Sequence, residues 1–257
     1  MLDQLSHFHS IETSRNRNGA LNRPLSRKIF IIQCVFCVFI YMMIIAPHPD
    51  DDILCCGNLI YKNNKAVEVI FVTDGSKGSP RQEEHGRKLA LKRVNEAYNA
   101  LRRLGVKDDN VVFLNNEDGN VIRQRDRVYR QLSDLILGKN NIRTIYFPSP
   151  FDAHPDHSEI GKIILSIIHD YKLKDLDLFM YTVHKQDISS ILNFSSILKI
   201  LSELKIRLTW KYVCFDVENI ELKKQALEEH KSQISYMNEK VKKLVLSSSE
   251  CFYFKHI

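Results

Sequence analysis

The sequence predicts an α/β fold in which a parallel sheet is sandwiched by helices and chemistry lies at the C-terminal ends of the strands. Three observations carry this. From residue 42 onward, short runs rich in β-branched and aromatic residues alternate with longer stretches of helical period, the order expected of right-handed βαβ units. The 257 residues are 44% hydrophobic and 26% charged, which suits a folded domain and excludes a disordered or fibrous chain. Five prolines (Pro47, Pro49, Pro148, Pro150 and Pro155) flank two short segments that each follow a strand-like run. Open α/β sheets bind ligands at such loops.

Residues 1–28 are polar and carry no period, whereas Ile29 to Ala46 is apolar apart from Gln33. The last part of that run, 42–46, reads as a first buried strand. What remains, 29–41, is shorter than the about 20 residues that span a bilayer. The organisation expected is therefore an N-terminal extension over 1–41 and one domain over 42–257. Three readings of the extension stay open: a membrane anchor, an apolar arm packed on the domain, or a dispensable segment ahead of a start at Met42 or Met43. As an anchor it would be an interfacial helix over 29–41, aided by Arg27 and Lys28 at anionic headgroups. Its shortness favours a soluble cytoplasmic domain, with weak membrane association through 29–41 as the alternative.

Further strands are expected at 66–72, 111–114, 143–147, 178–183 and 211–215, and helices at 53–63, 83–104, 122–138, 158–170 and 219–235. Helix 83–104 places Leu89, Val94, Ala97, Leu101 and Leu104 on one face and stops at Gly105, a suitable C-cap. The formal net charge is +6, half of it supplied by residues 1–41, so the domain lacks the basic field of a nucleic-acid binder. Six cysteines without a matched CxxC pair make neither a disulfide scaffold nor a cysteine zinc site. Buried thiols in a reducing compartment are expected. No GxGxxG follows the first strand, which excludes dinucleotide binding.

The two Pro-shaped loops are His48-Pro49-Asp50-Asp51-Asp52 and His154-Pro155-Asp156-His157. Between them they offer three imidazoles and four carboxylates. Two His and one carboxylate with an open fourth position form the ligand set of a catalytic zinc site, and the surplus groups are available for acid–base work. Asp52, just ahead of a helix, is expected to act as its N-cap.

These paired motifs resemble the LmbE-like/PIG-L zinc-dependent de-N-acetylases. The resemblance covers about residues 42–235 and includes VTDG at 72–75, RVNE at 93–96, LGV at 104–106, EDG at 117–119 and EHKSQ at 229–233. It implies Zn2+ held by His48, Asp51 and His157, with Asp50 as the general base acting on the zinc-bound water. His154 would be an imidazolium that stabilises the oxyanion and protonates the leaving amine, oriented by Asp156. Arg93, Glu96 and Asp118 would line the sugar pocket, and His230 would sit near its mouth. Two features depart from the family pattern: Asp52 stands where a Glu is usual, and the second motif is the bacterial-type HPDH, which points away from a phosphatidylinositol glycolipid.

The expected protein is thus a Rossmann-like zinc hydrolase that removes acetate from an N-acetylglucosamine-type conjugate, its partner an N-acetylated amino sugar rather than nucleic acid. The rivals are a metal-dependent amidohydrolase acting on another small amide and a catalytically silent sugar-binding module at a membrane. Asp50 and His154, which holding a metal does not require, argue against the silent module. The aglycone and the oligomeric state are not legible in the residues.

Overall fold

The computed structural model describes residues 41–184, 204–206, 208–237, 242 and 246–257. The expected extension therefore lies outside the described residues, apart from Tyr41. Among those described, no helix is long and apolar enough to cross a membrane.

The elements run β1 (Tyr41–Ala46), α1 (Asp51–Lys62), β2 (Val67–Thr73), α2 (Arg87–Arg103), β3 (Val111–Asn116), α3 (Arg125–Leu137), β4 (Ile142–Pro148), α4 (Pro155–Asp170), β5 (Asp177–Tyr181), β6 (Lys211–Asp216), α5 (Ile220–Glu228), α6 (Lys231–Ile234) and β7 (Ser249–His256). They build one sheet in the order β3-β2-β1-β4-β5-β7-β6. β1 to β5 pair in parallel, as expected. β7, unforeseen in the sequence, runs antiparallel to both β5 and β6, so the sheet is mixed.

Alternation along the strands divides the core in two. Ile44 and Ala46 of β1 join Ile53, Leu59, Phe71 and Leu101 on one face. Met43 and Ile45 join Val128, Leu132, Ile160 and Ile164 on the other. Both faces of the central strands are covered, which is why they read as continuous apolar runs. The strand order reverses between β1 and β4, and the crevice beyond the C-terminal ends at such a reversal is where ligands bind. Both Pro-shaped loops open into it.

Several boundaries move. The expected helix 83–104 begins only at Arg87, because Gly86 takes φ 112°, a conformation that breaks the run. At its other end Gly105 adopts φ 84°, and Val106 N–H donates to Leu101 O (3.0 Å), closing the helix as expected. The expected helix 219–235 divides at Glu229–His230 into α5 and α6. α4 starts three residues early, at Pro155, where a proline costs nothing because the first N–H has no helical partner. The HPDH motif is therefore the helix's first turn. The expectation of unpaired thiols is corrected: Cys214 and Cys251, opposite each other on β6 and β7, form a disulfide. Cys55 and Cys56 are free.

Candidate metal centre

The β1–α1 loop carries His48 and Asp50, α1 opens with Asp51, and the first turn of α4 carries His157. Two contacts seat the start of α4 on the loop after β4. Gly161 lets α4 lie against the β4 loop, since a Cβ there would stand 2.5 Å from Pro148 O and 2.7 Å from Pro150 N. Ser158 Oγ donates to Pro150 O (2.7 Å). In the first loop, Asp51 Oδ2 accepts from His48 N–H (2.9 Å), tying the loop to the start of α1.

The donor atoms converge. His48 Nδ1 lies 3.2 Å from Asp51 Oδ2 and 3.2 Å from His157 Nε2, and His157 Nε2 lies 3.1 Å from Asp51 Oδ2. Zinc with bonds of about 2.0–2.1 Å to N and O spaces neighbouring tetrahedral donors by roughly 3.3–3.4 Å. This near-equilateral triangle of two imidazole nitrogens and a carboxylate oxygen therefore fits such an ion. On its far side, His48 Nε2 meets Asp118 Oδ1 (3.1 Å) and Asp156 Oδ2 (3.4 Å).

Charge follows from these contacts. Burial works against a charged His48, but its hydrogen bonds to Asp118, Asp156 and Asp51 outweigh it and raise the pKa well above the ordinary value. Against the same burial, Asp51 and Asp152 raise His157 to about 9. Asp51 is held well below the carboxylate range, burial being outweighed by His157 and His48. Asp50 moves the other way: burial pushes it up to about 6, against the pull of Arg93.

The structure revises several site expectations. Asp156 does not orient His154; its oxygens accept from Gly119 N–H (2.7 Å) and Val121 N–H (3.2 Å) and face His48. For His154, expected as an imidazolium, burial, then the charges on His48 and His157, push the pKa the other way, to about 4. Arg93 is 2% exposed and, rather than lining a sugar pocket, donates to Gly75 O, Pro49 O and Asp50 Oδ1. Glu96 spends both oxygens on Ser232 N and Oγ. His230 is 0% exposed with both ring nitrogens unpartnered, so it is not at a pocket mouth. Asp118 stays at the site, between His48, Arg93 and Lys77 N–H.

Asp52 is no N-cap either. Asp50 holds that position, while Asp52 lies inside α1, fully buried, its oxygens without a well-formed hydrogen bond. Two site residues escaped the sequence reading. The His184 ring lies 4.9 Å from that of His157 and 5.4 Å from that of His154, and Asp152 is buried behind His157. The only hint of either is the Asp two residues ahead of the second motif.

The model of the PIG-L family, GlcNAc-PI de-N-acetylase, matches residues 43–168, the stretch that carries every donor of the triangle. Those 126 residues of the chain are thus similar to the PIG-L family. The chain is also similar to the diacetylchitobiose deacetylase of Thermococcus kodakarensis, 29% identical over 156 residues, 58% of this chain and 57% of that protein. The chain thus spans a little over half the length of this curated relative. Among solved structures, the N,N'-diacetylchitobiose deacetylase of Pyrococcus horikoshii superposes with TM-score 0.59 and 23% identity over 84% of each chain. A deacetylase of the teicoplanin biosynthesis pathway gives 0.61 and 15%, over 83% of this chain and 97% of that one. These two likenesses concern the fold: a mostly parallel sheet flanked by helices.

Proposed function

We propose that this protein is a PIG-L-type zinc-dependent hydrolase that removes the N-acetyl group from an N-acetylglucosamine-type sugar conjugate. The observation that carries this reading is the triangle of His48, Asp51 and His157 with an ionisable Asp50 beside it. A cation in the triangle supplies a water of lowered pKa and polarises the amide carbonyl. The remaining work falls to side chains. Asp50, pushed up to about 6, is ionised at neutral pH yet basic enough to take the proton of the attacking water. Arg93 fixes one of its oxygens at 3.0 Å, leaving the other to act. His154, neutral, donates an N–H to the oxygen that gains charge as the carbonyl becomes tetrahedral. The proton held by Asp50 then passes to the departing nitrogen, giving acetate and a free amine. Asp118 and Asp156 hold His48 Nε2–H and so keep its Nδ1 turned toward the triangle.

The test is amine and acetate release from N-acetylglucosamine, N,N'-diacetylchitobiose and N-acetylglucosaminides, with zinc-loaded and chelated protein. Zinc-dependent release from the sugars, absent in Asp50→Asn, is expected. Preference for a non-sugar amide would give the site to a general amidohydrolase. Zinc and sugar binding without release would make it a silent module.

A further inference from the structure

One buried carboxylate touches every part of the second loop. Asp152 is 1% exposed and belongs to neither sequence motif. Its Oδ1 accepts from His154 N–H (2.9 Å). Its Oδ2 accepts from Val183 N–H (2.8 Å) and His184 N–H (3.1 Å) at the end of β5. The same Oδ2 faces His157 Nδ1 at 3.6 Å. That nitrogen is fully buried and has no hydrogen-bond partner, and a buried ring N–H left unmatched is costly. An approach of about 0.6 Å brings the pair to ordinary hydrogen-bond length.

We propose that Asp152 is a positioning residue: it accepts the proton of His157 Nδ1, which leaves the Nε2 lone pair directed at His48 and Asp51, and it clamps the His154 loop to β5 so that His184 stands over both imidazoles. A histidine that holds a cation through one nitrogen needs its other N–H anchored, because the anchor fixes tautomer and ring orientation together. Asp118 and Asp156 already do this for His48. Asp152 is the corresponding group for His157, and its three amide bonds make it rigid. The same clamp explains His184: Asp152 binds its N–H, Ala153 N–H donates to its carbonyl (2.9 Å), and its ring is left at the exposed side of the site.

The inference rests on the metal reading, and the experiment separates the two. Zinc affinity is measured by competition with a chromophoric chelator for the full chain and for Asp152→Asn, alongside the proton NMR spectrum of the zinc-loaded proteins. For the unaltered protein a strongly downfield, slowly exchanging His157 Nδ1–H is expected, assigned by its loss in His157→Gln. Asp152→Asn should bind zinc about 10- to 100-fold more weakly and lose that resonance while keeping its circular dichroism spectrum. Affinity within twofold of the unaltered protein, or an unmoved resonance, overturns the proposal. If Asp152→Asn does not fold, absence of a protected Nδ1–H in the unaltered protein overturns it equally. If the unaltered protein binds no zinc, the metal reading itself has failed. In that case the Asp152–His157 bond is still tested by 15N shifts of the metal-free ring above pH 9, where an even mixture of tautomers would refute it.

Discussion

Asp50 takes φ 147°, a region that side-chain-bearing residues rarely enter, and such strain persists where the surroundings over-determine it. Here they do: Arg93 holds the carboxylate and the Pro49 carbonyl together, and α1 begins on the next residue. Asp50→Asn should therefore fold and keep zinc while losing about 10²- to 10⁴-fold in kcat, whereas His157→Ala should lose the metal. Metal analysis of both variants decides it, and equal metal loss in the two would refute the division between base and ligand. The polar residues at strand ends were legible because only chemistry concentrates three His and four Asp in two short loops. Burial was not legible: the RVNE and EHKSQ segments say nothing about which way Arg93, Glu96 and His230 turn. His230 gives a second prediction. Burial, then Arg93, lower its pKa to about 3, against about 6.5 unfolded. The unfolded chain thus binds the extra proton first as pH falls, so this group's contribution is complete above pH 6.5 and is lost toward pH 3 at about 1.4 kcal/mol per unit. Urea unfolding of His230→Leu should match the unaltered protein at pH 7.5 to within about 1 kcal/mol and be less destabilised at pH 5. An identical acid slope would remove His230 as a cause.

At the level of elements, periodicity revealed what burial enforces. β1, β2 and β4, covered on both faces, show as apolar runs, and α2 shows as a stripe. β7 did not show, although Phe252 packs against the first core and Glu250 reaches α1. Its antiparallel direction and its disulfide to β6 depend on a partner 37 residues away, which no local pattern encodes. Asp152 was hidden for the same reason, since its amide partners arrive only when β5 docks beside β4. α4 offers the clearest link from packing to site. A methyl at position 161 would meet backbone atoms of Pro148 and Pro150, which cannot swing aside as a side chain can. Gly161→Ala should cost about 1–3 kcal/mol and also weaken zinc binding, because His157 is carried on the same helix one turn earlier. Denaturation and zinc titration of this variant check both effects. A stability loss with unchanged affinity would show that the first turn of α4 moves independently of its middle.

Over the whole molecule, the two cores on either side of the sheet hold the strands, and the strands hold the site. The donor side chains are carried by elements that both cores pack: His48 and Asp51 at the junction of β1 and α1, and His157 on α4. This differs from small metal-dependent domains, which have too little core to fold unloaded. Zinc should accordingly add to stability without creating the fold. A ligand at 100 times its Kd stabilises by about 2.7 kcal/mol, and for a chain of this size each kcal/mol moves Tm by about 2–4 °C. Thermal unfolding in excess chelator should therefore stay cooperative, with Tm lower by roughly 5–10 °C than under that zinc excess. The His48→Ala/His157→Ala double variant should show no zinc-dependent shift at all. Loss of cooperative unfolding on chelation would mean that the ion organises the crevice, and an unmoved Tm would mean that it does not bind there.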